Sequence, residues 1–293
     1  MNRLSEFMTE NKIKVEQVLL NAITSLECPE KLQEAMIYSV KAGGKRIRPL
    51  LVMATAQSFD RNPDRALEAG AALEMIHTYS LIHDDLPSMD DDDLRRGQPT
   101  NHKVFGEAFA ILAGDALLTL SFGLIADSIN FTSEEKVKLI GLLAKASGAE
   151  GMVGGQAADI EGEEADLTIK ELESIHIRKT GRLLEYAVKA GGIISGLDDR
   201  DLNLLGDYAK HIGLAFQIRD DILDVEGDQN EIGKPVGSDE ANKKSTYPAL
   251  LGMDEAKRKL QYHIEKAHES LQKIHPEPVL LADIADLIAS RTS

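Results

Sequence analysis

Apolar residues recur at steps of three and four along most of the chain, which is the spacing of one face of an α-helix. The pattern is clear near the amino terminus, at Leu4, Phe7 and Met8 and again from Val15 onward. It returns in the stretches 67–86, 104–125, 137–146, 169–194, 202–223, 256–274 and 279–288. Alternating apolar and polar runs, which indicate strands, are not found. The pattern therefore predicts an all-α fold of about ten helices.

Glycine and proline residues fall between these helical stretches, and the longest irregular segment that they predict spans 226–246. An irregular segment of that length inside a helical domain is typical of a lid or a binding loop. The chain has no repeat of fixed period, no low-complexity tract and no linker-like stretch. We therefore expect residues 1–293 to form a single domain, although the length alone would suggest two.

The chain is acidic, with 33 Lys and Arg residues against 49 Asp and Glu residues and a formal net charge of −16. This charge disfavours electrostatic binding of nucleic acid or of an anionic lipid surface. It does not exclude a small anionic substrate, because a bound metal ion can reverse the local sign of charge. Cys28 is the only cysteine, so an intramolecular disulfide and a thiolate metal cage are both excluded. We find no secretory signal and no apolar run approaching a membrane span, and we expect a cytoplasmic location.

The first acidic motif runs from Asp84 to Asp93 and has six aspartates in ten residues. It follows an apolar helical stretch, and Pro87 is expected to end that helix near Leu86. Asp84 and Asp85 then lie at the carboxyl end of a helix, where the helix dipole disfavours anions. A run of aspartates is often only a solvated loop, but this placement indicates that a cation compensates the charge.

The second acidic motif is Asp220, Asp221 and Asp224. These residues are three and four positions apart, so the pattern predicts that they line one face of a helix. The flanking residues are apolar, and carboxylates gathered on a partly buried face favour a hard cation with oxygen ligands, above all Mg²⁺. Two such motifs facing each other would form a multi-metal phosphate site. Gln217 lies one turn before this motif, on the same face.

Basic residues occur where a phosphorylated substrate would need them. Adjacent Arg95 and Arg96 follow the first acidic motif and could each hold a different phosphate group. His77 lies seven residues before Asp84 and shares its helix face, about 10 Å away. The other candidate cations are Lys45, Arg46, Arg48, Arg178, Lys179, Lys234, Lys243 and Lys244. Taken singly, each of them would ordinarily be a solvated surface residue.

Together these residues resemble the trans-isoprenyl diphosphate synthase family, most closely its bacterial members that make the fifteen-carbon product. The resemblance covers nearly the whole chain in seven ordered blocks. These blocks are 43–49, 84–90 with 95–97, 155–159, 179–181, 217 with 220–224, 233–235 and 244–248. It implies one helical bundle of the isoprenoid synthase type around a central cavity, and a homodimer. Helical stretch 104–125, apolar nearly all round, fits either a core helix or a dimer interface.

The resemblance also implies an activity and its ligands. The chain would be a Mg²⁺-dependent prenyltransferase that condenses isopentenyl diphosphate with dimethylallyl and then geranyl diphosphate, releasing pyrophosphate and making farnesyl diphosphate. The three implied Mg²⁺ ions would be held by Asp84, Asp90 and Asp220. The carboxylates implied to act through hydrogen bonds and water around these ligands are Asp85, Asp221 and Asp224.

Substrate-binding roles are implied in the same way. The residues implied to bind the departing diphosphate are Arg95, Lys179, Lys234 and Lys244. Those implied to bind isopentenyl diphosphate are Lys45, Arg48, His77 and Arg96. The catalytic oxygen dipoles that face the allylic cation would come from Lys179, Thr180 and Gln217.

Product length is implied by the residues before the first acidic motif. Ser80 lies one turn before Asp84, and Tyr79 is next to it, toward the floor of an apolar slot. An aromatic residue there, with the Pro87-Ser88 insertion, resembles enzymes that stop at fifteen carbons. Related chains often end in several basic residues that cover the isopentenyl site, whereas this one has only Arg291 near its end.

Several alternatives remain open. A geranylgeranyl diphosphate synthase would differ in product length. A terpene cyclase shares the first motif but normally has a different second motif. The His83-Asp84 pair also occurs in HD-type metal phosphohydrolases, which need metal-bound imidazoles from elsewhere. An EF-hand at Asp90–Asp93 fails because Arg95 stands where glycine is required.

Overall fold

The computed structural model describes residues 3–163, 165, 167–227 and 245–291, and these residues are almost entirely helical. The α-helices are α1 (Arg3–Thr24), α2 (Glu30–Lys41), α3 (Ile47–Ser58), α4 (Leu67–Asp84), α5 (Asn101–Phe105), α6 (Glu107–Asp127), α7 (Ser133–Ser147), α8 (Met152–Gly162), α9 (Ile169–His176), α10 (Arg182–Ser195), α11 (Asp199–Glu226), α12 (Tyr247–Leu251), α13 (Met253–Leu271) and α14 (Val279–Ser290). Within the described residues, all but the five-residue helices α5 and α12 have eight residues or more. The predicted all-α class is confirmed.

Two short elements differ from the sequence pattern. Strands β1 (Leu94–Arg95) and β2 (Gln98–Pro99) pair as an antiparallel hairpin, which corrects the expectation that the chain has no strands. Its two turn residues, Arg96 and Gly97, have φ values of 55° and 75°. Two residues of positive φ are what a tight hairpin turn requires. The hairpin was missed because strands of two residues leave no periodicity.

The helical stretch predicted at 169–194 is divided in the structure. Helix α9 begins with a capping box, in which Thr168 and Glu171 each bond the other's backbone. After α9, residues Ile177–Gly181 form one π-helical turn that leads into α10. Helix α10 ends at Gly196, whose φ of 76° closes the helix in the left-handed region. The π turn contains Lys179 and Thr180, two of the candidate catalytic residues.

The described chain has two compact units. The first contains the residues up to Met53 and Asn62–Ile140. Its central helix is α4, whose residues from Ala69 to Ile76 are all buried. Gly70 allows close packing there, because a Cβ atom at this position would lie 3.1 Å from the side chain of Pro49. This unit carries the first acidic motif.

The second unit contains Ala54–Arg61 and the residues from Gly141 onward. Its longest helix is α11, which packs against α10, α13 and α14. The side chain of Tyr208 is fully buried, and its hydroxyl donates to the carbonyl of Leu281, at 2.7 Å, joining α11 to α14. This unit carries the second acidic motif. The expectation of one domain over 1–293 stays a prediction.

Helix α6 is long and apolar enough to cross a membrane, judged by length and composition alone. This corrects the expectation that no apolar run approaches that length. The core helix of a soluble protein meets the same criterion, and α6 packs against α2, α4 and α5 within the first unit. Ile111 and Leu112 nevertheless leave 42% and 50% of their surfaces exposed.

Candidate active site

The first acidic motif lies where α4 ends, as the proline predicted. Asp84 is the last helical residue and Asp85 caps the helix. The chain then folds back on itself, since the backbone N–H of Asp90 donates to the carbonyl of Asp84, at 2.9 Å. Asp84 is half-buried and Asp90 is exposed. Both predicted metal ligands therefore lie at one helix end with access to solvent.

Asp85 has a different environment from its neighbours. Its side chain is only 5% exposed, and it accepts hydrogen bonds from Arg95 Nε, at 2.9 Å, and from an Arg95 terminal nitrogen. Burial raises the pKa of Asp85, and the hydrogen bond from Arg95 opposes that rise. The β1–β2 hairpin places Arg95 for this pairing. Asp85 thus holds Arg95 beside the first acidic motif.

A group of cations surrounds His77 on α4. The pKa of His77 is lowered well below its usual value, first by burial and then by Arg48, Arg96, Arg46 and Arg95. Its imidazole is therefore neutral at pH 7, and it can donate one hydrogen bond without adding charge.

The loop before α3 lies against the hairpin. Arg96 donates to the carbonyl of Gly43, and its guanidinium packs on Gly44. A Cβ atom on Gly44 would lie 2.7 Å from that guanidinium, and the residue has a φ of 127°. Lys45, on the same loop, is exposed. The structure thus brings Arg48, Arg96 and His77 together and places Lys45 on the adjoining loop.

Tyr79 and Ser80 lie between His77 and Asp84 on α4. Tyr79 is 6% exposed, and burial together with the charge of Asp84 raises its pKa to about 12. Its ring meets that of His83 edge-on, with 5.7 Å between centroids. Ser80 donates to the carbonyl of His77, at 2.9 Å. Tyr79 is thus a buried ring one to two turns before the acidic motif, and its role in product length stays a prediction.

The π turn of the second unit brings the three candidate catalytic residues near one another. Thr180 Oγ1 donates to Gln217 Oε1, at 3.2 Å, and so joins the π turn to α11. Lys179 Nζ lies 2.7 Å from Asp159 Oδ2 on α8. The close approach of α8 to the π turn depends on Gly155, because a Cβ atom there would lie 2.2 Å from the backbone nitrogen of Lys179.

The second acidic motif shows a gradient of exposure along α11. The side chain of Asp220 is 44% exposed, whereas Asp221 and Asp224 are buried. Asp221 accepts a hydrogen bond from the backbone of Tyr247, at 2.8 Å, and so holds the start of α12. Asp220 is the accessible member of the motif, and its role as a metal ligand stays a prediction.

Arg291 reaches the same motif from the carboxyl end of the chain. One of its terminal nitrogens donates to Asp220 Oδ1, at 2.5 Å, and to the carbonyl of Phe216, at 2.8 Å. The guanidinium lies 3.8 Å from the centroid of the Phe216 ring. Arg219 in turn donates to the carbonyl of Arg291. The single basic residue near the end of the chain therefore contacts the predicted metal ligand.

The donor set fits magnesium. Across the described ranges, with their gaps at 164, 166 and 228–244, no three His, Cys, Asp or Glu side chains are clustered to hold an ion by themselves. Magnesium does not need such a cage, because it binds through one or two carboxylates and completes its shell with water and substrate phosphate. The accessible carboxylates of Asp84, Asp90 and Asp220 suit that mode, and Asp220 is paired with the guanidinium of Arg291.

Three of the predicted cations, Lys234, Lys243 and Lys244, and most of the irregular segment predicted at 226–246 lie outside the described residues. Several contacts of the candidate site residues were not predicted from the sequence, among them Asp159 with Lys179, Tyr247 with Asp221, Glu74 with Arg46 and Arg291 with Asp220. Each joins residues that are far apart in the chain. The one local signal was the Gly155–Asp159 block, which was noted without a role for Asp159.

The model of the Polyprenyl synthetase family matches residues 29–277. The chain belongs to this family. The family assignment agrees with the resemblance inferred from the ordered motifs. Both acidic motifs lie within the matched residues.

Individual members of the polyprenyl synthetase family resemble the chain over nearly its whole length. Farnesyl diphosphate synthase of Geobacillus stearothermophilus is 56% identical over 290 residues, covering 98% of each chain. The enzyme of the same name from Bacillus subtilis is 50% identical and covers 99% of each chain. Among solved structures, an FPP/GFPP synthase from Zymomonas mobilis superposes with a TM-score of 0.88 at 37% identity, covering 98% of this chain and 99% of that one.

Proposed function

We propose that the chain is a farnesyl diphosphate synthase, which joins isopentenyl diphosphate head-to-tail to dimethylallyl diphosphate and then to geranyl diphosphate. The observation that carries the proposal is the arrangement along α4. Solvent-accessible carboxylates lie at the helix end, at Asp84 and Asp90, and a cationic group surrounds His77 two turns earlier. A buried aromatic ring, Tyr79, lies between them. Full-length relatives named farnesyl diphosphate synthase support the same assignment.

Magnesium ions, three in number, would be held by Asp84, Asp90 and Asp220. When bound, they would neutralise charge that develops on the departing diphosphate. Asp85 and Asp221 would act indirectly, since one holds Arg95 and the other holds the start of α12. Asp224, buried on the same helix, would support Asp221 and Asp220.

The departing diphosphate would be bound by cationic side chains as well as by the metal. Lys179 is held by Asp159 and Arg95 by Asp85, so each has a fixed orientation before substrate arrives. Such preorganised charges stabilise a transition state without the cost of reorienting solvent. The other two proposed ligands of this diphosphate are Lys234 and Lys244.

Loss of the diphosphate leaves an allylic cation, and oxygen dipoles would stabilise it. Thr180 donates its hydroxyl hydrogen to Gln217, so the lone pairs of its Oγ1 stay available to a cation. The carbonyl of Lys179 and Oε1 of Gln217 would add two further dipoles. The released pyrophosphate is the proposed base for the final deprotonation, so no protein base is assigned.

Isopentenyl diphosphate would bind to Lys45, Arg48, His77 and Arg96. The low pKa of His77 supports a division of labour among them. Lys45, Arg48 and Arg96 would supply the positive charge, and neutral His77 would donate a hydrogen bond. In this arrangement the positive side chains face the diphosphate, and the imidazole of His77 on α4 stays neutral.

We further propose that the protein is a cytoplasmic homodimer. Exposed apolar side chains on α6, including Ile111 and Leu112, support an interface between two copies. Burial of these side chains against a second copy would explain why α6 is so apolar without placing the helix in a membrane.

The proposed chemistry is tested by measuring release of pyrophosphate. The purified protein is incubated with isopentenyl and dimethylallyl diphosphates, with Mg²⁺ or with EDTA. Release should require both substrates and the metal. Release from dimethylallyl diphosphate alone would instead indicate a phosphohydrolase, and no release with both substrates and Mg²⁺ would contradict the proposal.

A further inference from the structure

Arg46 has an unusual position in the basic loop before α3. Its neighbour Lys45 is exposed and Arg48 is half-buried, whereas the side chain of Arg46 is only 2% exposed. Its φ of 53° lies in the left-handed region, which a residue with a side chain adopts only at an energetic cost. The backbone therefore turns at Arg46, and one cation of the loop is directed into the protein.

The buried guanidinium is bonded to three different helices. It donates to Glu74 Oε1 on α4, at 2.7 Å, to Glu16 Oε1 on α1, at 3.3 Å, and to the carbonyl of Val40 on α2, at 2.5 Å. Glu74 is as well buried as Arg46, with 3% of its side chain exposed. A planar guanidinium suits such a junction, because its donors are fixed in direction.

The Arg46–Glu74 contact links two parts of the proposed isopentenyl site. Glu74 lies three residues before His77, on the same face of α4. Arg46 follows Lys45 on the loop and lies two residues before Arg48, at the start of α3. The same loop also accepts a hydrogen bond from Arg96 at Gly43. The loop is thus fixed to the helix face that presents His77.

We propose that Arg46 and Glu74 are positioning residues for isopentenyl diphosphate. Their ion pair holds Lys45 and Arg48 at the correct distance from His77, and neither residue touches the substrate. The inference rests on the proposed function. It adds a positioning role for two residues whose charges cancel and which a count of basic residues would not reveal. Because Arg46 is paired with Glu74 and also with Glu16, these residues contribute geometry and little net positive charge to the substrate.

A buried ion pair is weak evidence for stability, since an apolar pair of similar volume often stabilises a fold equally well. This property separates positioning from simple structural support. The Arg46→Met/Glu74→Leu double variant removes both charges and keeps most of the volume. The matched control is Arg65→Met/Glu135→Leu, which removes a partly buried ion pair at 2.8 Å elsewhere in the same unit.

Affinity for isopentenyl diphosphate is measured by calorimetry without the allylic substrate, and KM and kcat are measured in turnover. We expect the double variant to keep a melting temperature near that of the unchanged protein. Its Kd and KM for isopentenyl diphosphate should rise ten- to a hundredfold, roughly the effect of a 1 Å displacement. The KM for the allylic substrate and the control variant should change little.

A folded double variant with unchanged isopentenyl diphosphate affinity would overturn the proposal. If the double variant does not fold, Glu74→Gln decides by the same measurements, because it keeps the shape and removes the charge. Arg46→Lys should give an intermediate KM, since lysine keeps the charge but lacks the three-way donor geometry. If the unchanged protein fails to bind isopentenyl diphosphate, the proposed function fails, and that result is distinct from a failure of the positioning role.

Discussion

Burial and four neighbouring arginines lower the pKa of His77. The same arginines are the reason that we propose His77 as a neutral hydrogen-bond donor. A protonated imidazole would add a fifth positive charge close to these four arginines, at considerable electrostatic cost. The neutral ring avoids that cost and still offers an N–H donor. The protonation state of a residue such as His77 therefore depends more on the groups around it than on its residue type.

Tyr79 is the residue whose replacement should change the product. Tyr79→Ala removes a buried ring near Asp84 and should leave space for a longer chain. We expect products longer than fifteen carbons by chromatography. The cavity should lower the stability by about 3 kcal/mol, so the assay is run well below the melting temperature.

Tyr79→Phe is the control for this prediction, because it keeps the ring and removes only the hydroxyl. It should still stop at fifteen carbons. A Tyr79→Ala enzyme that makes only the fifteen-carbon product would show that another residue forms the floor.

At the scale of elements, the π turn at Ile177–Gly181 is the feature that would align the proposed catalytic oxygens. Gly155→Ala should disturb it, because the new Cβ would lie 2.2 Å from the backbone nitrogen of Lys179. We expect a loss of stability of about 1–3 kcal/mol and at least a tenfold lower kcat. Gly141→Ala is the control, since nothing lies within 4 Å of its added Cβ. Equal kcat values for the two variants would contradict this role of the π turn.

Helices α11 and α13 meet at a pair of histidines, and the contribution of this pair to the stability of the fold depends on pH. His211 Nδ1 and His263 Nδ1 are 2.9 Å apart, so one ring must donate and the other accept. Burial, His211, Lys259 and Lys210 lower the pKa of His263 to about 3. The unfolded chain, with a histidine pKa of about 6.5, therefore binds the proton more readily than the folded protein.

Stability from His263 is thus fully present above about pH 6.5 and is lost as the pH falls below that value. We expect the free energy of unfolding of the unchanged protein to fall between pH 7.5 and 5.5. His263→Gln should reduce that fall by about 1.4 kcal/mol, measured by chemical denaturation. Tyr262→Phe, which keeps the imidazole, should not. An unchanged pH dependence in His263→Gln would contradict the assignment.

The sequence predicted most of the elements and one motif end, for identifiable reasons. Apolar periodicity revealed the long helices because each buries a face. Pro87 located the end of α4 because proline restricts the residue before it. The π turn was not predictable, since a shift in backbone hydrogen bonds leaves the side-chain spacing almost unchanged. The inward direction of Arg46 was also invisible, because it depends on one backbone angle and on three distant partners.

At the scale of the whole molecule, the net charge of −16 conceals a local reversal of sign. Positive groups gather around His77, and the proposed metal ligands Asp84, Asp90 and Asp220 are accessible to solvent. An overall count would disfavour anionic ligands. The local distribution of charge is instead compatible with the diphosphate substrates that we propose.

The proposed homodimer is tested through α6. Leu112→Glu places a charge on a side chain that is 50% exposed on this helix. We expect the mass measured by light scattering to fall from that of a dimer to that of a monomer. Val137→Glu, at another exposed apolar position on α7, should stay dimeric. A dimeric Leu112→Glu protein would exclude this face as the interface.

The central claim is that the enzyme extends an allylic diphosphate to fifteen carbons and stops there. Its most direct test is the chain length made from geranyl diphosphate and excess isopentenyl diphosphate with Mg²⁺, read by chromatography after removal of the diphosphate. We predict farnesol as the main product, with little further extension when farnesyl diphosphate is supplied as the starter. A twenty-carbon main product, or a cyclic hydrocarbon, would contradict the assignment.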